Sequence, residues 1–248
     1  MDKSTKLQFE LYAAWCGAFF VVLYPIFWAW IGRAQPPLSF GVTPAEVAQF
    51  YLSQDTRIIF GMAVAAFVGG LWIPWTGQLT VVLWRIEGEG PVFSMTQLVG
   101  GVLTAWALVF TPIAWLLPAF RHDADPQVIR AFSDYAYLSF NGTFVISTIQ
   151  AVAAGMVGLA DKRAHPVFPR WVCWIAIFSG VAFVVVGFTP FVHSGPLALE
   201  GWFAGWIPGS MFFIWCATST GYMIKDVARR RRAAGITRPA RLPPASRP

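Results

Sequence analysis

The run WVCWIAIFSGVAFVVVGFTPFV, from Trp171 to Val192, contains twenty-two residues and no charge. A helix rises 1.5 Å per residue, so about 20 residues cross the roughly 30 Å hydrocarbon core of a bilayer. Lipid offers the backbone no water, so such a run must pair its own amides and carbonyls as a helix. A barrel strand would alternate apolar and polar residues, and neither this run nor any other segment does so.

Similar runs occur at 13–33, 57–84, 96–119, 134–160 and 202–224. Of the 248 residues, 56% are hydrophobic and 12% charged, with a mean hydropathy of +0.57. A soluble domain carries about 25% charged residues, so this chain lacks the polar surface of a water-facing globule. The expected fold is an all-α, polytopic transmembrane bundle of about six spans over 1–226. A basic, proline-rich tail, 227–248, is expected to be disordered. Met1 to Glu10 has no signal-cleavage pattern, so the first run is expected to remain as a span.

Lys and Arg near span ends resist translocation. With six spans, one side collects fourteen of them, including Lys3, Lys6, Arg85, Arg163 and the tail arginines; the other has Arg33, Arg57, Arg121 and Arg130. This asymmetry predicts that both termini are cytoplasmic, in a bacterial inner membrane, with the tail near anionic headgroups. In the first outer connection, Thr43-Pro44-Ala45-Glu46 reads as a capping box and predicts a short interfacial helix over 44–53. Asp125-Pro126 is expected to start a helix that runs on into the fourth span. Pro25, Pro74, Pro112, Pro190 and Pro208 lie within or near the ends of spans, where they imply kinked packing or broken helices around a cavity.

Several chemistries are excluded. There is no Walker A sequence, no His-Glu-x-x-His and no Gly-x-Ser-x-Gly elbow. No lysine sits at mid-span to carry a retinal. His122, His165 and His193 lie in loops or at span ends, which argues against intramembrane haem ligation. Cys16, Cys173 and Cys216 show no ligand spacing and read as small core residues. Neither a cofactor nor a metal is expected, and no nucleic acid partner.

What remains is uncharged polarity at membrane depth, which is costly unless partnered. On a helical wheel Gln97, Gly101, Thr104, Thr111 and Trp115 share an arc of about 80°, and Asp134, Tyr137, Asn141 and Thr148 one of about 60°. These stripes serve either as interhelical glue or as the lining of a pocket; Gln78 and Gln150 pose the same choice. Trp72, Trp75, Trp106 and Trp215 lie deep enough to pack or to face a flat ligand such as a sterol, terpene or quinone. The segment from Thr189 to Trp202, rich in Gly and Pro, is either a hairpin or a loop that dips back to close an outward pocket.

Three functions fit these residues. The favoured one binds or transports a small, mostly hydrophobic molecule, with Gln97, Thr104, Trp106, Asn141 and Gln150 as contacts. The second is a metal-independent enzyme acting on a lipid-like substrate, with Asp134, His193 and Glu200 as acid and base. The third is a non-catalytic subunit that pairs with another protein or a second copy through small-residue patches such as Gly69/Gly70 or Gly155/Gly158.

The motifs Pro166-Val167-Phe168-Pro169-Arg170-Trp171, Ser194-Gly195-Pro196, Gly201 and Trp206-Ile207-Pro208 resemble those of a family of uncharacterised bacterial six-helix membrane proteins. The Arg85-Ile86-Glu87-Gly88 turn and the stretch from Asp125-Pro126 to Asp134 are also similar. The resemblance implies the six-helix fold and no activity, because none is established for that family.

Overall fold

In the computed structural model, which describes residues 1–236, each of these apolar runs is helical, and the described residues contain no strand. Helix α1 (Lys3–Tyr24) starts where Asp2 accepts the Thr5 amide at 2.6 Å, and it continues as a π-helical stretch, Pro25–Ile31. Helix α2 (Pro44–Leu52) has both bonds of the expected capping box, with Thr43 N–H donating to Glu46 at 2.9 Å and Glu46 N–H donating to Thr43 Oγ1 at 3.4 Å. It lies against the helix that begins at Pro126, where Tyr51 and Ser133 share a hydroxyl–hydroxyl bond of 3.1 Å.

The segment 57–84, expected as one helix, is two, α3 (Asp55–Gly69) and α4 (Trp72–Glu87). The Gly69–Gly70 pair weakens the helix there. Pro74 has no N–H for the Gly70 carbonyl, which accepts from Ile73 N–H at 3.1 Å instead. Helix α5 (Val92–Phe120) runs unbroken through Pro112 and Pro118. The helix beginning at Pro126 is capped by Asp125, as its sequence predicts, but it breaks at Thr143 into α6 (Pro126–Gly142) and α7 (Phe144–Leu159). Thr143 Oγ1 donates to the Phe140 carbonyl at 2.7 Å, a back-bond that competes with the helical ladder.

Helix α8 (Arg170–Val186) is followed by the connection to α9 (Ile207–Ala233), which a π-helical turn, Trp202–Trp206, precedes. Residues 227–233, assigned to the tail from sequence, are instead the last turns of α9. Asp226 pairs with Arg229 and Arg230 at i+3 and i+4 and so carries the helix onward. The rest of the expected tail, 237–248, lies outside the described residues.

Among the described residues, five helical segments are long and apolar enough to cross a membrane: Lys3–Ile31, Asp55–Glu87, Val92–Phe120, Pro126–Leu159 and Arg170–Phe191. Helix α9 is not among them; Thr218, Ser219, Thr220 and Gly221 dilute its apolar stretch. Around the bundle, α1 packs on α4 and α9, α9 on α8, α8 on α7, and α7 on α5, which also touches α3, α4 and α6. Trp72, Trp75, Trp215, Phe20 and Phe212 fill the centre and are almost wholly buried, so these deep tryptophans are core. Gly69 meets the Leu108 backbone, and Gly155 and Gly158 meet Cys173. These small residues therefore serve contacts within the chain.

Candidate functional site

Pro112 has no N–H to give the Leu108 carbonyl one turn earlier, and an unpaired carbonyl in an apolar interior is costly. The Tyr24 hydroxyl meets it at 3.1 Å from across the bundle. Tyr24 is the last residue of α1 before the π-helical stretch, where backbone bonds reach further back along the chain: Gly32 N–H donates to the Phe27 carbonyl five residues earlier at 2.8 Å, and Ala34 N–H to that of Trp28 six residues earlier at 3.2 Å. The wider turn swings Trp28 against Tyr24, Trp115 and Phe140. Single-turn π-bulges recur at functional sites.

These elements enclose a cavity of about 220 Å³ between the end of α1, the middle of α5, the α6–α7 break, α8 and the start of α9. It exceeds the roughly 150 Å³ of an engineered apolar cavity that takes up benzene. The second π-helical turn supplies Ala204, Gly205 and Trp206 to the wall, and the connection before it folds Leu199 inward. The 189–202 segment thus closes one side of the cavity through Leu199 and also forms a turn at the end of α8. The lining is aromatic and aliphatic with a few hydroxyls and amides, and no charged side chain among the described residues contributes to it.

Some polar atoms of that lining are buried without a partner among the described residues. They are the Trp28 and Trp115 indole N–H groups, the Thr104 hydroxyl and Gln35 Oε1. Trp115 packs edge-on against the Tyr137 ring at 5.2 Å, and its N–H reaches no acceptor with hydrogen-bond geometry. Buried donors are nearly always paired, so the Trp28 indole and the Thr104 hydroxyl, both on residues that line this cavity, stand out as donors without an acceptor among the described residues.

The residues singled out from sequence fall in different places. Thr104 and Asn141 line the cavity, and Asn141 Nδ2 also donates to Thr189 Oγ1 at 3.3 Å. Gln97 and Gln150 are wholly buried at helix contacts: Gln97 Oε1 accepts from Thr80 at 2.7 Å and Gln150 Nε2 donates to Thr76 at 3.4 Å, while Gln97 Nε2 and Gln150 Oε1 have no partner among the described residues. Trp106 is 54% exposed on the outer face of α5, stacked on Phe110. Asp134 lies 3.8 Å from Arg130, His193 stands edge-on to Phe40, and Glu200 keeps Oε2 buried without a partner. No hydrogen bond or ion pair among the described residues joins these three. Among the described residues no group of three His, Cys, Asp or Glu side chains could hold a metal.

Tyr24, Trp28 and Gln35 were not singled out by sequence as site residues. The available signal was Pro112, whose freed carbonyl calls for a donor on a neighbouring helix. A second feature had no sequence signal at all. At the opposite end of the bundle, Arg230 bridges Glu10 and Asp226, Arg85 reaches Asp226 at 3.1 Å, and Gln78 donates to Glu10 at 3.3 Å.

Comparisons of the chain with protein-family models, curated proteins and solved structures found no match. The likeness to a six-helix family therefore stands on its short motifs alone.

Proposed function

We propose that this chain is a six-span protein of the bacterial inner membrane, with both termini cytoplasmic, that binds a small apolar molecule bearing an acceptor oxygen. The uncharged aromatic cavity, with unpartnered donors at Trp28 and Thr104, carries this reading. Thr104 and Asn141 are its polar contacts. Tyr24 and Trp28 form one wall and Leu199 and Trp206 another. A single substituted ring or a short branched chain suits the volume; a charged solute does not, because nothing in the lining would offset its desolvation. Transport is the extended form of this reading, with the two π-helical stretches as the parts that would give way.

Support for a sixth span comes from α9. Its 27 residues extend about 40 Å, more than the hydrocarbon core needs. It packs between α1 and α8, both within segments apolar enough to cross. Its basic end is ion-paired to the start of α1, and the charge asymmetry of the connections favours a cytoplasmic location for that end.

The test is solvent extraction of the protein purified in native lipid, followed by mass spectrometry, with Ala107→Phe and Thr104→Val alongside. Ala107 is buried in the lining, so phenylalanine there fills the space; valine at 104 removes a donor at constant volume. The expected result is a small oxygen-bearing apolar molecule, near-stoichiometric in the parent protein, absent from Ala107→Phe and depleted in Thr104→Val. Equal recovery from all three proteins, or no such molecule in the parent, contradicts the proposal.

A further inference from the structure

A second concavity of about 460 Å³ opens at the other end of the bundle, between the start of α1 and the ends of α4 and α9. Among the described residues, four cations border it, Lys3, Lys6, Arg85 and Arg230, against one carboxylate, Glu10. That carboxylate is buried and already engaged by Arg230 and Gln78. Asp226, behind the cleft with its side chain 3% exposed, holds Arg85 and Arg230 in position. Lys3 and Lys6 are exposed and have no carboxylate partner among the described residues. Among the described residues, Glu10 and Asp226 balance the two arginines and fix them in place, so the excess positive charge of the cleft is that of Lys3 and Lys6, which are free to close on an anion.

The apolar part of the cleft identifies the anion. Val81 and Trp84 border it from α4, both exposed and at the end of a segment apolar enough to cross a membrane. Tryptophan at that depth marks the headgroup boundary. A free anion would use the cations alone, whereas an acyl chain would also lie along Val81 and Trp84. Basic pockets between membrane helices are known to take acidic headgroups.

We infer that this cleft binds the phosphate of an anionic phospholipid, with Lys3 and Lys6 closing over a headgroup seated on Arg85 and Arg230. The inference is independent of the cavity at the opposite end, because the two share no residue.

The experiment is native mass spectrometry of the full chain in detergent, titrated with phosphatidylglycerol, with phosphatidylcholine, and with phosphatidylglycerol plus millimolar inorganic phosphate. Phosphatidylglycerol is expected to stay bound and phosphatidylcholine to be lost. With about a five-fold effect per cation, Lys3→Gln/Lys6→Gln should weaken phosphatidylglycerol retention about twenty-five-fold. Lys3→Arg/Lys6→Arg should keep it. Equal retention of the two lipids, or no change in the glutamine variant, overturns the inference. Displacement by inorganic phosphate overturns it too, in favour of a free-anion site.

Discussion

Proline 112 and tyrosine 24 show how one residue's missing proton is supplied by another 88 positions away in the chain. Tyr24→Phe should lower stability by about 1 kcal/mol, the net worth of such a bond. Pro112→Ala restores a helical N–H for the Leu108 carbonyl, so in that background Tyr24→Phe should cost much less. Thermal unfolding of the four proteins in detergent completes this cycle. Asp161 provides a pH-dependent case. Burial raises the pKa of its carboxyl, but the Arg163 guanidinium and the Arg163 and Val167 amides outweigh burial and hold it below the usual carboxylate value. The stabilisation is then complete above the unfolded pKa of about 4 and is lost as pH falls through the lower folded value. The stability gap between the parent and Asp161→Asn should be constant near neutrality and close in acid below about pH 4. At this scale the sequence exposes polarity but not its purpose. Thr104 and Gln97 read alike on a helical wheel, yet Gln97 Oε1 accepts from Thr80 across the α4–α5 contact, while Thr104 lines the cavity. Trp106 reads as deep, yet at 100° per residue it stands about 180° from Gln97 and the polar stripe of α5, so the wheel places it on the outer face, where it is exposed.

The helices themselves were legible wherever local chemistry decides them. The capping box at Thr43, the cap at Asp125 and the long apolar runs all produced helices where expected. The breaks were harder to place, because Gly70 and Thr143 interrupt helices whose hydrophobicity continues across the gap. Helix contacts rest on glycine where two backbones approach closely. A methyl group at Gly155 would stand 2.7 Å from the Cys173 carbonyl oxygen, whereas one at Gly221 would meet nothing within 4 Å. Gly155→Ala should therefore destabilise the α7–α8 pair by about 1–3 kcal/mol through overpacking. Gly221→Ala should stabilise α9 by roughly 0.5–1 kcal/mol through helix propensity. Unfolding in mixed micelles measures both, and equal effects of the two would contradict the packing described.

Across the whole molecule the two ends differ in character. One gathers paired ions from α1, α4 and α9; the other encloses an uncharged cavity behind the two π-helical stretches. A reporter that fluoresces only in the cytoplasm should be bright at either terminus and dark when inserted after Ala124. A dark C-terminal fusion would remove the sixth span. Class and pattern were readable from composition and apolar run lengths. The cavity was not, because it arises from five segments distant in sequence meeting around side chains that each read as packing. The most direct test of the central claim is a high-resolution cryo-EM map of the protein in native lipid, inspected between Trp28, Thr104 and Trp115. Non-protein density with an oxygen within hydrogen-bond reach of an indole N–H or the Thr104 hydroxyl is the expected result. A collapsed cavity, with those polar groups paired to one another, would contradict the claim.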